Sequence, residues 1–353
     1  MPPFIQFVIR RLLIIPFSLL IITMLLYAGV MLTPPEGRAT LYLSKGNGRF
    51  SKNIIPVIIR EHHLDAPYFV QYGYWLESLA QGDWGYSPSL ADDVLPAMLQ
   101  RTPATAELAF FSLILFIPLG LLSGVFSGWH QRGRFDNAFR LIAFAATSLP
   151  AFILALVLIS IFYISLGWFA PERLSTALSY QLPAQNFQFY TGFYTLDGLL
   201  NRRFDVTLDA LRHLIMPVVT LSLYHWATLG RITRAMMISE HGKDYILAAR
   251  ARGVKESKVM WKHAFRNVLA PSITSLTLSA ASLLTGVFLV EMIYNYNGIS
   301  IVIAGAMKGG IPDAPAAMGF AIYSVLIVLL MMFLLDLAQA AIDPRVRSEV
   351  LDI

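Results

Sequence analysis

Few residues in this sequence have the types and spacing that catalysis or metal binding requires. His62 and His63 are adjacent, and Ser300 follows Gly298 and Ile299 in the local pattern of a serine nucleophile. Adjacent histidines lack the spacing of a helical zinc pair, and no His-Glu-x-x-His sequence occurs. The serine has no obvious histidine partner. The sequence therefore gives little support to a metallohydrolase or to an intramembrane serine hydrolase.

Nucleotide and thiol chemistry are also missing from the sequence. No Gly-x-x-x-x-Gly-Lys-Ser/Thr phosphate loop occurs, so the chain does not bind ATP by that route. The chain has no cysteine, which excludes disulfides and thiolate ligands. We expect no cofactor in this chain.

Ionisable residues within or beside long apolar runs are functional candidates by default. His225 falls inside one run and Glu291 at the end of another. Both are candidate contacts of a solute path. A structural role is the alternative: an interhelical hydrogen bond for His225, and pairing with Lys308 or an outer arginine for Glu291.

The segment between the fourth and fifth apolar runs has a pattern suited to partner recognition. Asp244 is a predicted N-cap and Gly253 a predicted left-handed C-terminal residue of a short helix. Three- and four-residue spacing places Tyr245, Ala248, Ala249 and Arg252 on one face, where small residues allow close approach. A second helix is predicted from Ser257 to about Val268. The alternative is that alanine only favours helix and that the basic residues only mark the cytoplasmic side.

These residues must be positioned by membrane-spanning helices. The chain of 353 residues is 56% hydrophobic and 14% charged, whereas soluble domains carry roughly 25% charged residues. A bilayer core requires about 20 apolar residues in a helix. Six runs predict an all-α polytopic protein with six spans: Leu12–Leu32, Leu108–Trp129, Leu141–Phe169, Leu214–Leu229, Val268–Val290 and Ala314–Leu335. We expect the fourth run to continue as helix past Arg231, and the prolines inside the runs to be tolerated.

The distribution of lysine and arginine predicts the orientation. Sixteen of the 27 basic residues fall on the side that would hold both termini, including Arg345 and Arg347. The positive-inside rule makes that side cytoplasmic. The net charge of +5 then follows from topology, and no nucleic-acid partner is needed. The aromatic stretch Tyr68–Leu79, in the first outer segment, is predicted to be either an interfacial helix or a docking surface.

An ordered set of motifs resembles the first permease subunit of the dipeptide/oligopeptide/nickel family of ABC importers. Ala248, Ala249 and Gly253 match that family's Ala-Ala-three residues-Gly core, and Asp244-Tyr245 with Arg250-Ala-Arg252 match the version found in its peptide branch. Further matches run along most of the chain: Arg10-Arg-Leu-Leu13, Leu64-Asp-Ala-Pro67, Gly82-Asp-Trp-Gly85, Arg101-Thr-Pro-Ala-Thr-Ala-Glu-Leu108, Ser148-Leu-Pro-Ala-Phe152, His263-Ala-Phe-Arg-Asn267 and Asp343-Pro-Arg-Val-Arg347. The chain departs from the pattern at Leu247, at Phe265-Arg266 and at Asn297, where a proline is lost.

The resemblance implies a type I ABC importer permease fold in a bacterial inner membrane. It implies a first span within residues 1–33, an extracytoplasmic segment at 34–102, and a five-helix core at 103–353 whose loop 240–267 docks on the ATPase. Residues Asp244, Tyr245, Ala248, Ala249, Arg250, Arg252 and Gly253 are the implied contact. The implied partners are a second homologous permease subunit, two ATPase subunits that bind ATP and Mg²⁺, and an extracytoplasmic solute-binding protein.

Three alternatives remain open at this point. Nickel chelates or oligosaccharides could replace peptides as the solute, because related subunits transport them. A self-contained secondary transporter is the main alternative from another class, although its ionisable relay is lacking in these nearly charge-free spans. A structural or receptor-like membrane subunit is the third.

Overall fold

The part of the chain that the structure describes is mostly helical. The computed structural model describes residues 3–39, 54–308 and 313–342. The motif at Asp343–Arg347 and the basic pair Arg345 and Arg347 therefore lie outside the described residues. The helices are α1 (Pro3–Val30), α2 (Pro35–Ala39), α3 (Ile55–Glu61), α4 (Tyr68–Ala80), α5 (Val94–Trp129), α6 (Arg134–Ser148), α7 (Ala151–Leu158), α8 (Thr176–Gln181), α9 (Tyr194–Leu200), α10 (Phe204–His241), α11 (Asp244–Ala251), α12 (Glu256–Lys258), α13 (Phe265–Ile293), α14 (Ser300–Ala306) and α15 (Ala314–Ile342).

Non-α elements connect some of these helices. Two short strands, β1 (Tyr86–Ser87) and β2 (Asp92–Asp93), form an antiparallel hairpin with Tyr86 opposite Asp93. Two π-helical segments, Ile159–Ser165 and Val259–Ala264, follow α7 and α12, and a 3₁₀ turn covers Pro183–Gln185.

Within the described residues, four helices are long and apolar enough to cross a bilayer: Val8–Val30, Val94–Trp129, Phe204–His241 and Ala314–Leu337. A fifth span results if the bent pair Arg134–Ser148 and Ala151–Ser165 is counted as one. Helix α13 covers the predicted span Val268–Val290, but the apolar helical stretch identified in it is the shorter Ser282–Ile293. The structure thus supports four or five spans directly.

The third predicted span is not one continuous helix, contrary to the sequence prediction. Helices α6 and α7 meet at an angle of 102°. Leu149 is extended, with φ −94° and ψ 121°, and Pro150 precedes the first turn of α7. A proline lacks an N–H and disfavours helical geometry in the residue before it, so the helix ends at Ser148. The fourth run, in contrast, continues past Arg231 to His241 as expected.

The chain divides into two compact units. The first comprises the described residues of 1–7, 104–297 and 331–353, and the second those of 8–103 and 298–330. In the first unit, α5, α7, α10 and α13 supply a core that contains Phe116, Leu221, Leu229 and Leu283. Helix α6 packs on α10 through a smaller cluster around Phe139.

Glycines bring the backbones of α5 and α10 into contact. Gly120, Gly124 and Gly128 recur every fourth residue on α5, so they share one face. A Cβ added at Gly124 would lie 2.6 Å from the carbonyl oxygen of Gly230 on α10. A Cβ added at Gly128 would lie 2.7 Å from the carbonyl oxygen of Arg234. This is the small-residue packing by which membrane helices associate closely.

In the second unit, the aromatic helix α4 packs against α1. The hydroxyl of Tyr68 donates to the carbonyl of Met24, and the hydroxyls of Tyr72 and Thr23 share a hydrogen bond of 2.9 Å. The ring of Tyr27 lies against those of Tyr68 and Tyr72. One side of the predicted aromatic stretch is therefore used within the chain, while Phe69 and Tyr74 remain exposed.

A buried carboxylate fixes the start of α15 in the same unit. Asp313 accepts a hydrogen bond from the backbone N–H of Ala316, as an N-cap does. Its second oxygen accepts from the hydroxyls of Ser87 and Ser89, each at 2.7 Å. Asp313 thereby connects the hairpin to the beginning of the last long helix.

We predict that Gly124→Ala lowers the midpoint of thermal unfolding of the purified protein, because its Cβ would meet backbone rather than a movable side chain. Overpacking of this kind costs about 1–3 kcal/mol. Tryptophan fluorescence on heating measures the midpoint. Gly73→Ala on α4 is the matched control, since nothing lies within 4 Å of its added Cβ. An unchanged midpoint for Gly124→Ala would contradict the close contact of α5 and α10.

Candidate functional site

The candidate site begins where α10 ends and the short helix α11 turns away. Lys243 is extended and precedes the helix, and Asp244 is its first residue. No side chain forms a hydrogen-bonded cap, so the prediction of Asp244 as N-cap was wrong by one residue. Asp244 still places a negative charge in the first turn, where the helix dipole favours it.

Gly253 ends α11 as the sequence predicted. Its φ is +71°, in the left-handed region that glycine tolerates best. The N–H of Gly253 donates to the carbonyl of Arg250, and the N–H of Val254 donates to that of Ala249. These two bonds form a Schellman motif, which satisfies the last carbonyls of the helix.

The two faces of α11 differ from the predicted arrangement. Ile246 and Ala249 are buried in a cluster with Val125, Met237 and Val268, and Ala249 is only 7% exposed. The predicted face of Tyr245, Ala248, Ala249 and Arg252 is therefore only partly exposed, because Ala248 and Arg252 face outward whereas Ala249 packs inward. The outward face instead consists of Asp244, Leu247, Ala248, Ala251 and Arg252, and the side chain of Leu247 is 53% exposed.

A buried carboxylate fixes the angle between α10 and α11. Glu240 accepts hydrogen bonds from the ammonium of Lys243 and the hydroxyl of Tyr245. Asn267, at the start of α13, also bonds to it. Burial, together with the hydrogen bond to Glu240, raises the pKa of Tyr245 to about 12. The phenol is protonated at neutral pH and donates to Glu240.

The side chain of Arg250 makes its contacts within the chain. Its Nε donates to Glu256 at 2.7 Å, and its Nη2 donates to Nε2 of His241 at 3.1 Å. Its guanidinium carbon lies 5.3 Å from the ring centroid of Trp129 on α5, within cation–π range. Arg250 thus ties α11 to the ends of α5 and α10.

The connection from α11 to α13 is also different from the prediction. The expected second helix, Ser257 to about Val268, is the three-residue α12, the π-helical segment Val259–Ala264 and the first turn of α13. Val259, Met260 and Ala264 are buried in the same cluster as Ile246. The π geometry keeps these apolar residues facing that cluster, and π segments of this kind are frequent at functional sites.

The two predicted solute-path residues are both buried inside the first unit. His225 lies beside Phe116, with ring centroids 5.4 Å apart. Its Nδ1 has no hydrogen-bond partner within the described chain. Glu291 accepts a hydrogen bond of 2.5 Å from the hydroxyl of Thr105. Glu291 is thus bound to α5, and its pairing with Lys308 or an outer arginine stays a prediction.

A further buried carboxylate, Glu107, was missed by the sequence analysis. One of its oxygens accepts from the N–H and the hydroxyl of Thr195, at 2.9 and 2.7 Å. The other accepts from Nη2 of Arg173 at 2.7 Å and from the hydroxyl of Tyr296 at 3.4 Å. Glu107 lies one residue before the predicted second span and therefore outside every predicted apolar run. Its place in the motif Arg101–Leu108 was the available signal.

Aromatic rings complete this outer polar cluster. The guanidinium carbon of Arg173 lies 4.3 Å from the ring centroid of Tyr194 and 5.5 Å from that of Tyr296. Burial and the nearby negative charge of Glu107 raise the pKa of Tyr296. Asp197 accepts from the backbone N–H groups of Thr191 and Gly192, both at 2.9 Å. The segment between α7 and α10 is thereby held on α5 and on the turn after α13.

These features define a class of protein. It is a polytopic helical membrane protein with a short helix presented at one end of a long span. No group of three or more potential metal ligands occurs in the described ranges. The polar residues within its core hold helices together in this conformation.

The chain belongs to the family described as the inner membrane component of binding-protein-dependent transport systems. Residues 117–348 match that family, a region that contains α11 and most of the first unit. The protein is accordingly a transport permease component of a bacterial inner membrane. The family match confirms the resemblance found in the sequence motifs.

Curated relatives align along nearly the whole chain. The di/tripeptide transport system permease protein DppB of Pseudomonas aeruginosa (strain UCBPP-PA14) is 31% identical over 345 residues, which is 98% of this chain and 99% of the relative. The dipeptide transport system permease protein DppB of Alkalihalophilus pseudofirmus is 31% identical over 342 residues, 97% of this chain and 99% of the relative. The probable D,D-dipeptide transport system permease protein DdpB of Escherichia coli (strain K12) is 36% identical over 303 residues, 84% of this chain and 86% of the relative.

We predict that Tyr245→Phe loosens α11, because buried Glu240 loses one of its donors. Such a loss costs about 1–3 kcal/mol. Limited trypsin digestion of the purified protein should then cleave after Arg250 or Arg252 several-fold faster than in the wild type. Tyr180→Phe is the control, since that side chain is exposed. Equal cleavage rates in the wild type and Tyr245→Phe would refute the bracing role of this hydrogen bond.

We also predict that Glu107→Gln frees the outer segment, since it leaves the buried charge of Arg173 without its counter-ion. Breaking a buried pair costs about 3–5 kcal/mol. Hydrogen–deuterium exchange should become faster in peptides covering residues 188–203. Asp205→Asn breaks the exposed pair with Arg203 in the same region and should have little effect, because exposed pairs are worth about 0–1 kcal/mol. Exchange that is equally slow in Glu107→Gln would rule out Glu107 as the anchor.

Proposed function

We propose that the chain is the first of two transmembrane subunits of an ATP-driven, binding-protein-dependent importer of di- and oligopeptides. The support comes from the family and from relatives whose names specify dipeptide and oligopeptide transport. The partners in this proposal are a second homologous permease subunit, two ATPase subunits and an extracytoplasmic solute-binding protein. The chain itself is non-catalytic and holds no cofactor, because ATP and Mg²⁺ are bound by the ATPase subunits.

The proposed topology has six spans with both termini in the cytoplasm. The four long apolar helices supply four spans, the bent pair α6 and α7 supplies another, and α13 supplies the last. An even number of spans places the termini on one side, and the excess of lysine and arginine there supports the cytoplasmic assignment. The corner between α10 and α11 then faces the cytoplasm.

The proposed ATPase contact is the outward face of α11, and one observation carries this proposal. The inner face of the helix is packed by Ile246 and Ala249, while Leu247 and Ala248 are exposed on the other side. A helix with one packed and one exposed apolar face suits the groove of a partner protein. Asp244 and Arg252 supply charges at its rim.

The remaining predicted contact residues have a supporting role in this proposal. Tyr245 and Arg250 fasten α11 to Glu240, His241 and Trp129, and Ala249 and Gly253 form its buried side and its terminus. A helix fastened in this way moves as one body with the ends of α5 and α10. Closure of the ATPase pair on ATP would thus shift the spans between inward-open and outward-open populations.

For the solute path, we propose His225 as a polar contact that becomes available when the spans separate. Its unpartnered Nδ1 supports this, because a buried polar atom without a partner costs about 1–3 kcal/mol and favours a state in which it is paired. We propose a structural role for Glu291, since Thr105 already binds it.

The first experiment measures solute-stimulated ATP hydrolysis in proteoliposomes that contain the chain with its co-purifying partners. Ala248→Glu should lower hydrolysis roughly tenfold or more, because an unpaired charge in an apolar interface costs at least about 1.4 kcal/mol. Ala184→Glu, at an exposed alanine in the outer segment, is the control and should have no effect.

Two outcomes would contradict the proposal at different levels. Full hydrolysis in Ala248→Glu would show that the outward face of α11 is not the ATPase contact. Purification of an active transporter without any ATPase would instead favour a self-contained secondary transporter. Measuring uptake of nickel chelates and oligosaccharides beside peptides decides the solute class.

A further inference from the structure

An open cleft lies between α6 and α10 in the first unit. Its volume is about 620 Å³, and it is lined by Asn137, Arg140, Leu141, Phe144, Arg231 and Arg234. The four residues from α6 are spaced so that they share one face, and the two from α10 are one turn apart. Three of the six lining residues are arginines, so the cleft is strongly basic.

Among the described residues, a carboxylate pairs with Arg234 and with neither of the other two arginines of the cleft. Asp136 accepts from Nε of Arg234 at 2.6 Å and from its Nη2 at 2.9 Å. Ser127 also donates to Asp136, and the N–H of Arg132 donates to its second oxygen at 2.9 Å. Arg234 is therefore held in place as part of the wall of the cleft.

Arg140 and Arg231 are exposed in the cleft. Within the described ranges, neither forms an ion pair or a hydrogen bond with a carboxylate. The two guanidinium groups leave an excess positive charge in a concave surface. Guanidinium groups bind phosphate oxygens through paired N–H donors, so a phosphate is the complementary ligand.

The cleft also has an apolar side. Leu141 and Phe144 are 70% and 68% exposed. Arg140 directly precedes the apolar run that begins at Leu141, and Arg231 follows closely on the run that ends at Leu229. Arginine at the end of an apolar helical run lies at the level of the lipid headgroups. The basic and apolar parts are thus arranged in the order of a headgroup and its acyl chain.

We propose that this cleft binds the phosphate of an anionic phospholipid, with Arg140 and Arg231 contacting the phosphate and Leu141 and Phe144 contacting the acyl chain. Basic pockets between membrane helices are suited to anionic headgroups. The exposed apolar side chains favour a lipid over a free inorganic anion, which would leave them unused. The residues that line this cleft are different from those proposed for the ATPase contact and for the solute path.

Such a lipid would bridge α6 and α10 beside the bend at Pro150. Helix α6 packs on α10 through Phe139, whose ring lies against Gly230. A phosphate held by one arginine from each helix adds a second connection between them. We therefore expect phosphatidylglycerol to raise the thermal stability of the purified protein, whereas phosphatidylcholine should not.

Native mass spectrometry of the full chain in detergent tests the proposal, with phosphatidylglycerol and phosphatidylcholine added in separate samples. The wild type should retain phosphatidylglycerol in preference to phosphatidylcholine. The double variant Arg140→Gln with Arg231→Gln should lower the apparent affinity for phosphatidylglycerol at least about tenfold, since both positive charges that would contact the phosphate are removed.

Matched variants distinguish lipid binding in the cleft from lipid binding to surface charge in general. Arg266→Gln removes an exposed arginine in the first turn of α13 and should leave retention unchanged. The double variant Arg140→Lys with Arg231→Lys keeps the positive charge. It should therefore retain more phosphatidylglycerol than the double glutamine variant and less than the wild type. A wild-type elution volume and helical circular dichroism spectrum establish that the variants are folded.

Four results would overturn the proposal. The double glutamine variant could retain phosphatidylglycerol as well as the wild type does. The wild type could retain both lipids equally, which would mean that only apolar contact is made. Inorganic phosphate at millimolar concentration could displace the lipid completely, which would identify a free-anion site. A photo-crosslinker at residue 141 that captures a second permease subunit in the intact complex, with no lipid, would likewise overturn it.

Discussion

The structure depends most on the contact between the backbones of α5 and α10. Lipid supplies no hydrophobic force between helices, so close packing must hold them together. Gly120, Gly124 and Gly128 allow the two helices to touch where any side chain would separate them. The short distance between α5 and α10 is needed both for the core around Phe116 and Leu229 and for the packing of α6 on α10.

Polar clusters at both ends of this helix pair fix its neighbours. Glu107 lies in α5 near one end. It accepts hydrogen bonds from Arg173, Thr195 and Tyr296, which are all distant from it in sequence. Asp136 binds Arg234 of α10 further along the same pair of helices. Each carboxylate is buried and has several donors, which is the condition under which buried charge is tolerated. The loops that leave the helices are thereby given defined positions.

The corner at α11 joins this framework to the proposed partner. Glu240, Tyr245 and Arg250 connect the short helix to α10, α5 and the start of α13, and Ile246 and Ala249 fill the space beneath it. A displacement of its outward face would therefore be passed to three long helices rather than absorbed by a flexible loop. The bend at Pro150 and the π-helical segments lie where regular α-helix is interrupted, so they are the natural places for bending.

The sequence by itself determined the helical class, most of the long helices, the end of α11 at Gly253 and the family, because these depend on local composition, spacing and short motifs. Tertiary structure alone decided which face of α11 is free, since Ala248 and Ala249 are chemically identical and only the neighbours of Ala249 bury it. It also decided that the chain bends before Pro150 whereas α10 continues through Pro217, because a proline inside an apolar run permits either outcome in a membrane helix. Glu107 and its partners, and the arginine cleft between α6 and α10, join residues far apart in sequence, and no local pattern encodes such contacts.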